Sequence, residues 1–94
     1  MAELPEDFVP ETAAEAILVR LKQHDIDYLF ANAGTDFAPV IEIYSKNQQS
    51  ELPIPTPIIA PHETAAVAMA HGYYLATGKP QAVMVHVNVG LANA

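Results

Sequence analysis

The sequence predicts an α/β fold, a three-layer doubly wound parallel sheet that is present only in part. Two observations carry this. Segments with helical periodicity alternate with short apolar runs in the order helix, strand, helix, strand, helix, strand. Such alternation implies right-handed crossovers and a parallel sheet covered by helices on both sides. The runs themselves, in DYLFAN, TPIIAP and QAVMVHV, are apolar at nearly every position, as strands buried on both faces must be.

Each element has a local reason. In PETAAEAILVRLKQHDI, Thr12 is placed to accept from the amide of Glu15 and Glu15 to reach back to Thr12, the reciprocal capping box of a helix start. Ala14, Ile17, Leu18 and Leu21 then recur at three- and four-residue spacing and predict one apolar face. DYLFAN reads as the first strand, ended by the turn signal NAGTD. Thr35 or Asp36 is expected to cap a second helix in TDFAPVIEIYSKN, where Pro39 is tolerated because it falls in the first turn. QQSELPIP reads as a polar loop and TPIIAP as the second strand. A third helix runs from His62 to Thr77 and is stopped by Gly78 and Pro80. QAVMVHV closes the series as the third strand.

Composition narrows the function. A length of 94 residues allows one domain at most, and 51% hydrophobic residues mark a packed core. The formal net charge of −7, with only Arg20, Lys22, Lys46 and Lys79 positive, argues against nucleic acid or an anionic membrane as partner. Cysteine is absent, which excludes disulfides and zinc–thiolate sites. No apolar run approaches the roughly 20 residues of a membrane span. The start, MAELPEDFVPE, is acidic where a secretory signal is basic, so a cytoplasmic protein is expected. Because the chain stops at VGLANA, just after a strand-like run, a piece of a longer polypeptide is expected too.

In an open parallel sheet, ligands bind beyond the carboxyl ends of the strands. Three polar clusters fall there: Asn32, Gly34 and Thr35 after the first strand; His62 and Glu63 after the second; His86, Asn88, Gly90 and Asn93 after the third. Each has a bland reading. An acid in a first helical turn is favoured by the macrodipole, His86 could be a satisfied core histidine, and Gly34 and Gly90 could be turn glycines. His62 and His71 are nine positions apart, not the i, i+4 spacing of paired ligands on one helix face, and no metal site is expected. Glu63 is the least easily dismissed. It opens a helix so rich in alanine, valine and methionine that burial is expected, and a buried carboxylate needs a partner or a shifted pKa.

The stretch PHETAAVAMAHGYYLATGKPQAVMVHVNVGLANA resembles the pyrimidine-binding domain of thiamine-diphosphate enzymes of the acetolactate synthase and benzoylformate decarboxylase group. The matching features are His62-Glu63, the small residues Ala65 to Ala70, Gly72-Tyr73 with Ala76 to Pro80, the strand at Val83 to Val85, and Gly90 to Asn93. Upstream, NAGTDFAPV looks like the family's substrate-facing loop. The resemblance divides the chain into a tail, residues 1–10, and an incomplete pyrimidine-binding domain, residues 11–94. It implies that Glu63 bonds N1′ of the aminopyrimidine and exchanges a proton with it. Ala33, Gly34, Gly90 and Asn93 would line the cofactor. The diphosphate and Mg²⁺ would be held by another domain, through a Gly-Asp-Gly…Asn motif that this sequence lacks. Sites in the family are shared between subunits, so the remaining domains and a homodimer or homotetramer are the implied partners.

His86 leans toward the benzoylformate-decarboxylase-like branch, in which a histidine at this place serves proton transfer, and Thr35 falls where that branch has a hydroxyl near the substrate carboxylate. The implied activity is decarboxylation of a 2-oxo acid. The alternatives are an acetolactate-synthase-like carboligase and a noncatalytic α/β binding module. Ala33, in place of a frequent proline, and Val87, in place of a small polar residue, depart from the family pattern.

Overall fold

A computed structural model describes residues 4–94; the first three residues of the expected tail lie outside the described residues. Seven regular elements follow: α1 (Ala13–Gln23), β1 (Tyr28–Ala31), α2 (Ala38–Ser50), β2 (Thr56–Ile59), α3 (Glu63–Thr77), β3 (Ala82–Met84) and α4 (Val87–Asn93), with a single 3-10 turn at Thr35–Phe37. Among the described residues no helix is long and apolar enough to cross a membrane.

The sheet is parallel, in the order β2-β1-β3. Tyr28 to Ala31 lie opposite Thr56 to Ile59 on one side. On the other side Leu29 to Ala31 lie opposite Ala82 to Met84. Successive side chains of a strand point to opposite faces, and β1 uses this to build two cores. Leu29 packs with Leu18 of α1 and Ile43 of α2, whereas Phe30 packs with Ala60 and Ala66 of α3. The result is the expected three-layer arrangement, with α1 and α2 on one face and α3 on the other.

Several local expectations change. Thr12 Oγ1 accepts from the Glu15 amide at 3.1 Å, but the Glu15 carboxylate reaches past Thr12 to the amide of Glu11, also at 3.1 Å. Within α1 it is Leu18 and Val19 that are buried, while Ile17 is 60% exposed. Neither Thr35 nor Asp36 caps α2, because both stand in the 3-10 turn that precedes it and Phe37 holds the N-cap position without a side-chain bond. The last strand is shorter than QAVMVHV: it ends at Met84, and the chain turns at His86 into α4. Burial on both faces holds for β1 alone. β2 is an edge strand with Thr56, Pro57 and Ile59 exposed. Its Thr56 and Ala60 amides donate to β1, so Pro57, at an alternate position, turns its missing N–H away from the sheet, as an edge allows. Helix α3 is likewise less covered than its composition implies: Ala66 is buried, but Leu75 is 71% and Tyr74 49% exposed.

At the amino ends of the strands, Asp27 gathers an ion network. Its carboxylate accepts from Lys22 at 2.8 Å, Lys79 at 2.6 Å and the Tyr73 hydroxyl at 3.3 Å. Gln81 Oε1 accepts from the amides of Asp27 and Tyr28 at 2.9 and 2.7 Å, which ties the entry of β3 to that of β1. Hydrogen bonds from Lys22 and then Lys79 hold the Asp27 carboxyl down to about 2, from an ordinary value of 3.8. A depressed carboxyl stabilises the fold above its unfolded pKa and loses that contribution as pH falls through the folded value. Acid unfolding should therefore have a component between pH 3.8 and about 2 that is missing in Asp27→Asn. At pH 7 Asp27→Ala should cost about 1 kcal/mol in denaturant titrations, since the bridges are partly solvated.

Candidate functional site

Parallel pairing brings the carboxyl ends of all three strands to one edge, at Ala31, Ile59 and Met84. Asn32 secures that edge. Its backbone N–H donates to the Met84 carbonyl at 3.1 Å, and its side-chain amide donates to the Ala60 carbonyl at 3.0 Å. One residue thus joins the exits of both flanking strands to that of the central one.

The loop after β1 then runs through Gly34 into the 3-10 turn, closed by the Phe37 amide on the Gly34 carbonyl at 3.0 Å. Phe37, only 3% exposed, anchors the turn in the core, so Thr35 and Asp36 are left exposed. Across from it stands His86. A Cβ added at Gly34 would lie 2.1 Å from Cγ of the His86 ring, so the ring occupies space that only a glycine leaves open. His86 Nδ1 is 2.6 Å from Asp36 Oδ1. The next residue, Val87, has φ 52, a left-handed conformation that is strained for a β-branched side chain. Contrary to the sequence expectation, His86 is not a strand residue but the N-cap of α4.

The loop after β2 supplies the third component. His62 is the N-cap of α3, its Nδ1 accepting from the Thr64 amide at 3.1 Å. Glu63 follows as the first helical residue, where the macrodipole favours a carboxylate. Its side chain is 13% exposed, and its Oε2 lies 3.8 Å from His62 Nδ1. Thr64 Oγ1 donates to the Asn93 carbonyl at 3.2 Å, which fastens the start of α3 to the end of α4. Gly90 is buried, and a Cβ there would meet Val85 Cβ at 3.2 Å.

The rim residues therefore fall into two joined groups. Gly34 and His86 meet directly, with Asp36 as a third member that sequence reasoning did not select. Glu63 adjoins Asn93 through Thr64, and Ala33 and Thr35 stand exposed between the strands' ends. No signal along the chain marks Asp36, because its partner is 50 positions away. Among the described residues no three His, Asp or Glu side chains cluster as a metal site. The apolar concavities lie elsewhere: about 540 Å³ against α1, 390 Å³ between α1 and β3, and 170 Å³ over β1 and α2. They are uncovered core faces lined almost wholly by hydrocarbon. The convergent polar groups, which would make a ligand site of a cavity, are all on the open rim.

The family described as thiamine pyrophosphate enzyme, N-terminal TPP binding domain, matches residues 11–94. A benzoylformate decarboxylase from Pseudomonas aeruginosa is 30% identical over 73 residues, which cover 78% of this chain and 12% of that protein. The chain thus spans a small part of the length of that relative. No solved structure matches.

The Gly34–His86 approach makes a specific prediction. Gly34→Ala should push the imidazole off Asp36 and change the His86 ring resonances in NMR spectra. Because His86 is partly exposed and can swing outward, the stability loss should be about 1 kcal/mol or less.

Proposed function

The chain belongs to the N-terminal TPP-binding domain family of thiamine pyrophosphate enzymes, and from that premise we propose that it is the pyrimidine-binding part of a 2-oxo acid decarboxylase. The observation that carries the proposal is Glu63: a mostly covered carboxylate at the first turn of α3, on the sheet edge where Gly34 and His86 meet. Among the described residues this carboxylate forms no ion pair with a lysine or arginine, which keeps it available to bond and exchange a proton with an aminopyrimidine N1′.

The residues present fit one half of thiamine diphosphate. When bound, the cofactor supplies a sink for the electrons of the carbon–carbon bond that breaks as carbon dioxide leaves. Glu63 would hold the pyrimidine at N1′, and the small residues Ala33, Gly34 and Gly90, with Asn93, would let a flat ring approach the backbone. The other half does not fit this chain. The rim loops, residues 32–37, 60–63 and 85–93, contain no lysine or arginine, and Lys22 and Lys79 are engaged with Asp27 at the opposite end of the strands. The diphosphate and its Mg²⁺ are therefore assigned to another domain of the complete enzyme, in a homodimer or larger homo-oligomer.

His86 is the group we assign to proton transfer at the substrate, and Thr35 offers its exposed hydroxyl to the substrate carboxylate. The decarboxylase branch is favoured over carboligation by His86 together with the similarity to a benzoylformate decarboxylase. A general acid–base group contributes about 10²–10⁴-fold. In the complete enzyme Glu63→Gln should slow exchange of the cofactor C2 proton for deuterium by that order, followed by quenched-flow NMR. Exchange at the unaltered rate would refute the role of Glu63 and favour a noncatalytic module. His86→Ala should lower kcat for decarboxylation about 100-fold with cofactor affinity retained; a failure to fold would instead return His86 to a packing role.

A further inference from the structure

We propose that Asp36 is the positioning residue for His86, fixing the imidazole with its proton on Nδ1 and leaving Nε2 as the nitrogen free to act at the rim. The inference rests on the proton-transfer role proposed for His86.

Three observations converge on it. The Nδ1–Oδ1 separation of 2.6 Å is that of a short, charge-assisted hydrogen bond. An ionised carboxylate only accepts, so the ring nitrogen must be the donor, and in a neutral imidazole the lone pair is then on Nε2. Among the described residues Nε2 makes no hydrogen bond of its own. Both partners are also held from behind. The turn that carries Asp36 is anchored by buried Phe37, and the ring rests in the clearance at Gly34. A fixed tautomer is what a proton-transferring histidine needs, because the nitrogen facing the reaction is decided by the bond at the other one.

The neighbouring imidazole is a built-in contrast. His62 Nδ1 accepts from the Thr64 amide, so its ring carries the proton on Nε2. The two rim histidines are thus assigned opposite tautomers by two different partners. Since Asp36 is 58% exposed, the pair adds little to stability, and removing it should leave the fold intact.

The test uses the cofactor-free complete enzyme labelled with ¹⁵N-histidine, observed by ring ¹⁵N–¹H correlation at a pH well above the ordinary imidazole range. His86 should carry its proton on Nδ1 in the wild type and predominantly on Nε2 in Asp36→Ala, with His62 on Nε2 in both. In the loaded enzyme Asp36→Ala should lower kcat about 10–100-fold, as loss of a histidine's outer partner does elsewhere, with KM little changed. Asp36→Asn, which retains an acceptor oxygen, should restore most of that loss. A wild-type His86 proton on Nε2, or a tautomer untouched by Asp36→Ala, overturns the proposal. So does an unchanged kcat in Asp36→Ala when His86→Ala is impaired. If the tautomer switches as expected but His86→Ala is fully active, the Asp36 clamp stands and the catalytic role of His86 is what fails.

Discussion

The architecture depends on a central strand that is shared equally. β1 is the sole partner of both β2 and β3, and at its exit Asn32 bonds to a carbonyl beyond each of them. A side-chain amide standing in for a missing strand position is an economical way to close an edge: both flanking carbonyls are satisfied at a place where ladder pairing has ended. Because all three strands run in the same sense, the same residue also brings three otherwise unrelated loops to one rim.

The two ends of the sheet are built differently, and the difference matches their roles. The amino end is fastened by charge and amide bonds around Asp27 and Gln81, groups whose donors and acceptors are consumed by one another. The carboxyl end contains features that cost stability: a left-handed valine at position 87, a glycine that leaves room for an imidazole, and a carboxylate at position 63 with no lysine or arginine beside it. Strain of this kind, about 1–3 kcal/mol per residue, persists only where the surroundings over-determine it and is concentrated at functional sites.

What was legible in the sequence follows from locality. Helix α1 could be read from Thr12, since a cap and its amide partner lie three residues apart, and the end of α3 from Gly78, which takes the left-handed conformation at φ 76. The parallel sheet was legible because alternation of elements leaves few topologies. Helix α4 was not, because Val87-Asn88-Val89 has β-branched residues at alternate positions and reads as strand; its helical form is supported from a distance, by Thr64 on the Asn93 carbonyl. Asp36 was read as a cap for the same reason. Its actual partner is set by the close approach of two loops, and nothing within a few residues records it. The apolar runs also overstated burial, since hydrophobicity along β2 and α3 reports what they are able to pack against and not what covers them in these 94 residues.

The proline on β2 makes extension of the sheet one-sided. With Pro57 turned outward, that flank lacks a regular row of donors for an incoming strand, whereas the far side of β3 has no such block. Any additional strand is directed to lie beside Ala82–Met84. A strand added there in the same sense would deliver its own following loop next to His86. Enlarging the sheet and walling in the rim would then be a single structural event, with the open edge becoming a cleft from the histidine side.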